Sequence, residues 1–115
     1  MEWTNLVRPV QLQQLIANYQ TNLPLKGTRK EIDFHPVTRM FNPMGVGTWI
    51  LSECDDDGLA FGLCDVGYPE LGYVSMQELW ELRLPGGLKI EEDLHWTASK
   101  SLTAYADDAR QGKRV

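Results

Sequence analysis

Thr48-Trp49-Ile50-Leu51-Ser52-Glu53-Cys54-Asp55-Asp56-Asp57-Gly58-Leu59-Ala60-Phe61-Gly62-Leu63-Cys64-Asp65 is the stretch whose reading decides the fold. Two apolar runs flank an Asp-Asp-Gly turn, the pattern of an antiparallel hairpin. A three-residue loop over Asp56-Asp57-Gly58, with Gly58 in the left-handed position, sets Trp49 opposite Asp65, Leu51 opposite Leu63 and Glu53 opposite Phe61. That register gathers Trp49, Leu51, Leu59, Phe61 and Leu63 on one face. Loops of two or four residues split the set between faces, so burial favours the three-residue turn. The same register puts Cys54 against Ala60, four residues from Cys64, which is about 13 Å at roughly 3.3 Å per residue. A disulfide requires Cα atoms within about 7 Å, so both cysteines are expected to be reduced and structural.

Working outward, Pro9 can open a helix, and Leu12, Leu15, Ile16 and Tyr19 recur at i, i+3, i+4, i+7, which predicts a helix from about Pro9 to Thr21. Leu23-Pro24 ends it. From Ile32 to Phe41 the residues favour a strand, but Pro36 removes a ladder donor and confines that strand to an edge or to the part after Pro36. Past the hairpin, Leu71 to Val74 reads as a further strand. Ser75 and Glu78 form a capping box for a short helix that stops before Pro85-Gly86-Gly87. Leu88, Ile90, Leu94 and Trp96 suggest an extended segment, and Leu102, Tyr105, Ala106 and Ala109 a final helix ending near Gly112. The expected fold is α+β: a small antiparallel sheet of three to five strands with an N-terminal helix, a short capped helix and a C-terminal helix.

With 115 residues, 43% of them apolar and 23% charged, the chain is expected to form a single domain, 1–115. The start, Met1-Glu2-Trp3-Thr4-Asn5-Leu6, lacks a basic flank followed by an apolar run. No stretch approaches the roughly 18 apolar residues that cross a bilayer, so the expected location is cytoplasmic. The net charge of −5 is unevenly spread. Lys and Arg against Asp and Glu number five to three over 1–52, two to eleven over 53–96, and four to two over 97–115. An acidic middle argues against direct nucleic-acid binding, which rests on clustered Lys and Arg, and suits a protein partner with a basic surface.

No enzyme signature occurs. The run Asp55, Asp56, Asp57, Gly58 lacks the alternating ligands of a calcium loop and reads as turn chemistry. Asp93 and His95 share one face of an extended segment, where a carboxylate can orient an imidazole, and Glu91 lies beside them; no third ligand or nucleophile accompanies the set. Gly45-x-Gly47 lacks the rest of a phosphate loop. No cofactor or metal is expected. Of the four tryptophans, Trp49 belongs to the core of the hairpin, whereas Trp3 and Trp96 are expected to be exposed aromatic anchors.

From Phe41 to Trp96 the chain resembles the bacterial domain-of-unknown-function family 2958. The residues that carry the resemblance are Thr48-Trp49, Glu53, Asp55, Phe61-Gly62-Leu63, Asp65, Glu70-Leu71-Gly72-Tyr73, Ser75, Glu78-Leu79, Arg83, Gly87-Leu88, Ile90-Glu91 and Asp93-Leu94. The first 40 and last 19 residues match poorly. The resemblance implies a compact bacterial protein often encoded on plasmids, phages and other mobile genetic elements, with no established activity to transfer.

Three functional expectations follow. The first is a non-enzymatic interaction protein, an accessory or inhibitor protein of a mobile element, presenting Asp55, Asp56 and Asp57 with Trp3 and Trp96 to a protein partner. The second is a small-molecule-binding domain or hydrolase using Glu91, Asp93 and His95. The third is a nucleic-acid mimic.

Overall fold

The computed structural model describes residues 2–115. Helix α1 spans Pro9–Asn22, strand β1 Thr38–Phe41, β2 Thr48–Cys54, β3 Leu59–Asp65 and β4 Pro69–Ser75. Helix α2, Met76–Glu81, a two-residue strand β5, Glu91–Glu92, and helix α3, Leu102–Arg110, follow. The strands form one antiparallel sheet in the order β4-β3-β2-β1-β5. This is the expected α+β architecture. Pro36 acts as anticipated, since β1 begins only at Thr38, and Ser75 caps α2 by accepting the Glu78 N–H. The extended segment expected between Leu88 and Trp96 shrinks to β5, with Ile90 buried beside it.

The sheet is covered on both faces. On one, Leu15 of α1 and Met76 and Leu79 of α2 pack with Met40, Trp49, Leu51, Cys54 and Ala60. On the other, Leu102, Ala106 and Ala109 of α3 pack on Ile50 and Leu63. Fully burying one such Leu or Ile stabilises by about 1.5–3 kcal/mol, so α3 is held chiefly by Leu102 meeting Ile50 and Leu63.

The hairpin departs from its expected register at one residue. Near the turn Glu53 pairs with Phe61 and Cys54 with Ala60, as the three-residue loop requires. Ser52 is then a β-bulge, and beyond it Leu51 pairs with Gly62, Ile50 with Leu63 and Trp49 with Cys64. A bulge inserts one residue into one strand, and a shift of one moves every following side chain to the other face. Trp49 and Leu51 therefore point toward α1, whereas Phe61 and Leu63 lie on the α3 side; the expected single apolar face is really two. Leu59, expected in the core, is 45% exposed.

Two residues make the bulge possible. A Cβ at Gly62 would lie 2.0 Å from the Ile50 carbonyl oxygen, so only glycine allows the strands to approach this closely. A bulge also frees a backbone carbonyl, which costs free energy if left unpaired in the interior. Asn18 of α1, itself buried, donates its Nδ2 to the Ser52 oxygen at 3.0 Å.

At the turn, Gly58 takes φ +89°, and its Cα closes over the indole of Trp3, whose Cε2 would lie 3.0 Å from a Cβ there. Trp3 is only 2% exposed. The expectation of an exposed anchor at Trp3 is corrected: the indole fills the space beneath the hairpin turn. Among the described residues no helix is long and apolar enough to cross a membrane.

Candidate functional site

The polar residues singled out by the sequence do not converge. Asp55 is spent on its own turn, where Oδ1 accepts the N–H groups of Asp57 and Leu59, each at 2.9 Å. Asp56 and Asp57 stand exposed beside it. Among the described residues no group of three or more His, Cys, Asp or Glu is placed to hold a metal ion. Asp93 pairs with Arg39, Oδ2 to Nη1 at 3.2 Å, and its Oδ1 accepts the backbone N–H of His95 rather than the imidazole. Glu91 and His95 are exposed. Trp96 is half-buried and tilts against Tyr105, ring centroids 5.8 Å apart.

The buried carboxylate of this region is Glu92. It accepts the Arg8 backbone N–H at 2.9 Å, the Arg8 Nε at 3.2 Å and the Thr38 hydroxyl at 2.6 Å. It thereby ties the start of α1 to β1 and β5, a tethering role with its polar capacity already used.

The thiols are equally committed. Burial, reinforced by Asp55 and Asp56, pushes the Cys54 pKa up to about 12, and burial with Glu70 raises that of Cys64. A nucleophilic cysteine needs the opposite shift.

What the fold does bring together lies on the α3 side of the sheet, on the turn side of the bulge. Because Glu53 pairs with Phe61 and Phe61 with Tyr73, the three side chains form one cross-strand row. The rings of Phe61 and Tyr73 meet at 5.2 Å and 60°. Tyr73 is 59% exposed and Leu59, one strand position pair nearer the turn, is exposed too. The α3 core takes in the row on the other side, Ile50, Leu63 and Leu71, and half-buried Phe61 packs at its edge, which leaves Tyr73 and Leu59 exposed at this end of the face.

Glu53 is the unusual member of the row. Its side chain is only 5% exposed. Asn22, at the last position of α1 and fully buried, donates Nδ2 to Glu53 Oε2 at 3.0 Å. The same amide exchanges hydrogen bonds with both backbone groups of Ile32, at 2.9 and 2.7 Å, so it fixes the 31–34 segment against the carboxylate. Lys26 Nζ forms an ion pair with Oε1 at 3.2 Å without a well-formed hydrogen bond to it, and lies 5.3 Å from the Phe61 ring centroid. Burial alone would lower the Lys26 pKa; attraction to Glu53, helped by Tyr73 and Glu31, outweighs it and holds the ammonium above the ordinary lysine value. Glu53, Glu31, Asp33, Phe34 and Phe61 line a cavity of about 250 Å³. The sequence paired Glu53 with Phe61 correctly; what it did not disclose was the burial of that carboxylate by Asn22 and Lys26, 31 and 27 positions away.

A family model described as protein of unknown function (DUF2958) matches residues 6–115. The chain belongs to this family. The DUF2958 match takes in α1 and α3 as well as the sheet, so it extends beyond the Phe41 to Trp96 span that carried the resemblance, over terminal segments expected to match poorly. Both helices contribute to the site, α1 through Asn22 and α3 through Leu102 and Thr103 at the cavity wall. Searches among curated proteins and among solved structures return no match.

Proposed function

We propose that this chain is a non-enzymatic interaction protein that docks a basic protein partner on the open end of its α3-side sheet face. The observation that carries the reading is the row Glu53, Phe61, Tyr73, flanked by exposed Leu59, beside a cavity lined by Glu31 and Asp33. Tyr73, exposed and backed by half-buried Phe61 next to a pocket, is the kind of aromatic anchor that dominates the energetics of a protein interface. Carboxylates at its wall favour Lys or Arg on the partner and disfavour an acidic surface. Asp56 and Asp57, exposed at the hairpin turn, add negative field at the rim, where charge acts on association rate more than on affinity. An accessory or inhibitor role is compatible with such a surface, and so is an origin on the mobile elements that the family resemblance implies.

Capture from the native host with the tagged protein tests this. Wild type is expected to retain a partner at low salt and lose most of it at high salt, and Tyr73→Ser is expected to retain none. Asp93→Ala, on the opposite end of the sheet, is expected to behave as wild type. Retention of the same proteins by wild type and Tyr73→Ser would remove the reading.

A further inference from the structure

Among the described residues, Glu53 Oε1 is the buried side-chain oxygen that accepts no well-formed hydrogen bond. The group facing it is the Lys26 ammonium, which also lies against the Phe61 ring. A carboxylate on one side of an ammonium and an aromatic face on another is the chemistry by which proteins recognise alkylammonium groups.

The two halves of this contact are not equally fixed. Glu53 and Phe61 are paired strand residues, and Asn22 holds the carboxylate from behind. Lys26 follows the 3-10 turn Leu23–Leu25 and precedes Gly27, which takes φ +77°, and its side chain is 28% exposed. The acceptor side of the site is thus built by the sheet and α1, and Lys26 is a tethered occupant reaching in from a loop.

We infer that Glu53 and Phe61 form a lysine-binding site, closed by Lys26 in the free protein and taken over by a lysine side chain of the basic partner. This rests on the interaction reading above. Exchange of one ammonium for another keeps the buried carboxylate compensated in both states, so the barrier to takeover is the advantage of tethering. For a short connection that advantage corresponds to an effective concentration on the order of millimolar. Lysine suits the site better than arginine, because Asn22 occupies Oε2 and leaves one oxygen, which matches a point charge and not a bidentate fork. Glu31 and Asp33 on the same wall favour the approach of a cation, and the cavity has room for the four-carbon stem.

The test is a backbone-amide NMR titration with acetyl-Gly-Lys-Gly-amide and with its Nε-acetylated counterpart. The free-lysine peptide is expected to produce saturable shifts at Glu53, Phe61 and Tyr73. It is expected to bind Lys26→Ala at least tenfold more tightly than wild type, because the tethered competitor is gone. Glu53→Gln, and the acetylated peptide on any variant, are expected to show no saturable shifts. Should Lys26→Ala lose spectral dispersion, Lys26→Gln replaces it. Equal affinity for wild type and the Lys26 variant, or equal binding of the acetylated peptide, would overturn the lysine site. If that happens while Tyr73→Ser still abolishes partner capture, the docking face stands without it; if capture is also unaffected, both fall.

Discussion

Replacing Lys26 by Met should destabilise the protein more than replacing Glu53 by Gln, and the double replacement should recover much of the loss. The carboxylate of Glu53 is 5% exposed and the side chain of Lys26 is 28% exposed. Removing one partner of a fully buried pair costs about 3–5 kcal/mol, because a charge is left desolvated without compensation. The partial exposure of Lys26 lets some water reach the gap, which reduces the expected cost of Lys26→Met to about 2 kcal/mol. Glu53→Gln keeps an oxygen to accept from Asn22 and leaves Lys26 free to turn toward solvent, so its cost is about 0.5–1 kcal/mol. The double variant leaves no buried charge and should cost about 1 kcal/mol, a coupling of about 2 kcal/mol between the two sites. Urea denaturation at neutral pH, with the midpoint read at constant slope, measures all four corners of the cycle. Additivity within about 0.5 kcal/mol would refute the claim that Lys26 compensates a buried Glu53.

Three further outcomes follow from other parts of the fold. Gly62→Ala places a Cβ 2.0 Å from the Ile50 oxygen and should lower stability by about 3 kcal/mol or prevent folding, read by chemical denaturation. Asn18→Ala strips the bulge carbonyl of Ser52 of its donor and should cost about 1–3 kcal/mol, with a midpoint unchanged from wild type contradicting that role. Raised pKa values at Cys54, Cys64 and Lys26 mean that the folded state holds these protons more tightly than the unfolded chain. Their contribution is present below the unfolded values of 9.0 for the thiols and 10.5 for the ammonium, and is lost as pH rises, for Cys54 up to about 12. The urea midpoint under reducing conditions should therefore fall from about pH 9 upward, and a flat profile to about pH 11 would contradict it.

Local signals carried most of the secondary structure. Pro9 opened α1, Pro36 delayed β1, and Ser75 with Glu78 marked the start of α2, each through a backbone group that one residue type removes or satisfies. The bulge escaped because alternation is informative only when one face of a sheet is buried. Trp49, Ile50 and Leu51 are consecutive and all buried, since helices cover both faces, so the apolar pattern cannot set the phase. Gly62 in mid-strand was the signal available for it. Trp3 misled, and Glu92 gave no signal, for a different reason. Their burial depends on contacts with Gly58 and with Arg8 and Thr38, far along the chain, which no local window contains. The same holds for the site: pairing placed Glu53 beside Phe61, but Asn22 and Lys26 complete it from the end of α1 and the loop beyond.

Hydrogen–deuterium exchange on the protein bound to the partner that it captures tests the central claim most directly. Residues 59–63 and 71–75, together with the 26–33 segment, should gain protection in the complex, because the docking face is the Glu53, Phe61, Tyr73 row and its cavity. Protection confined to 91–96, or no change on β3 and β4, would place the binding surface elsewhere and contradict the account.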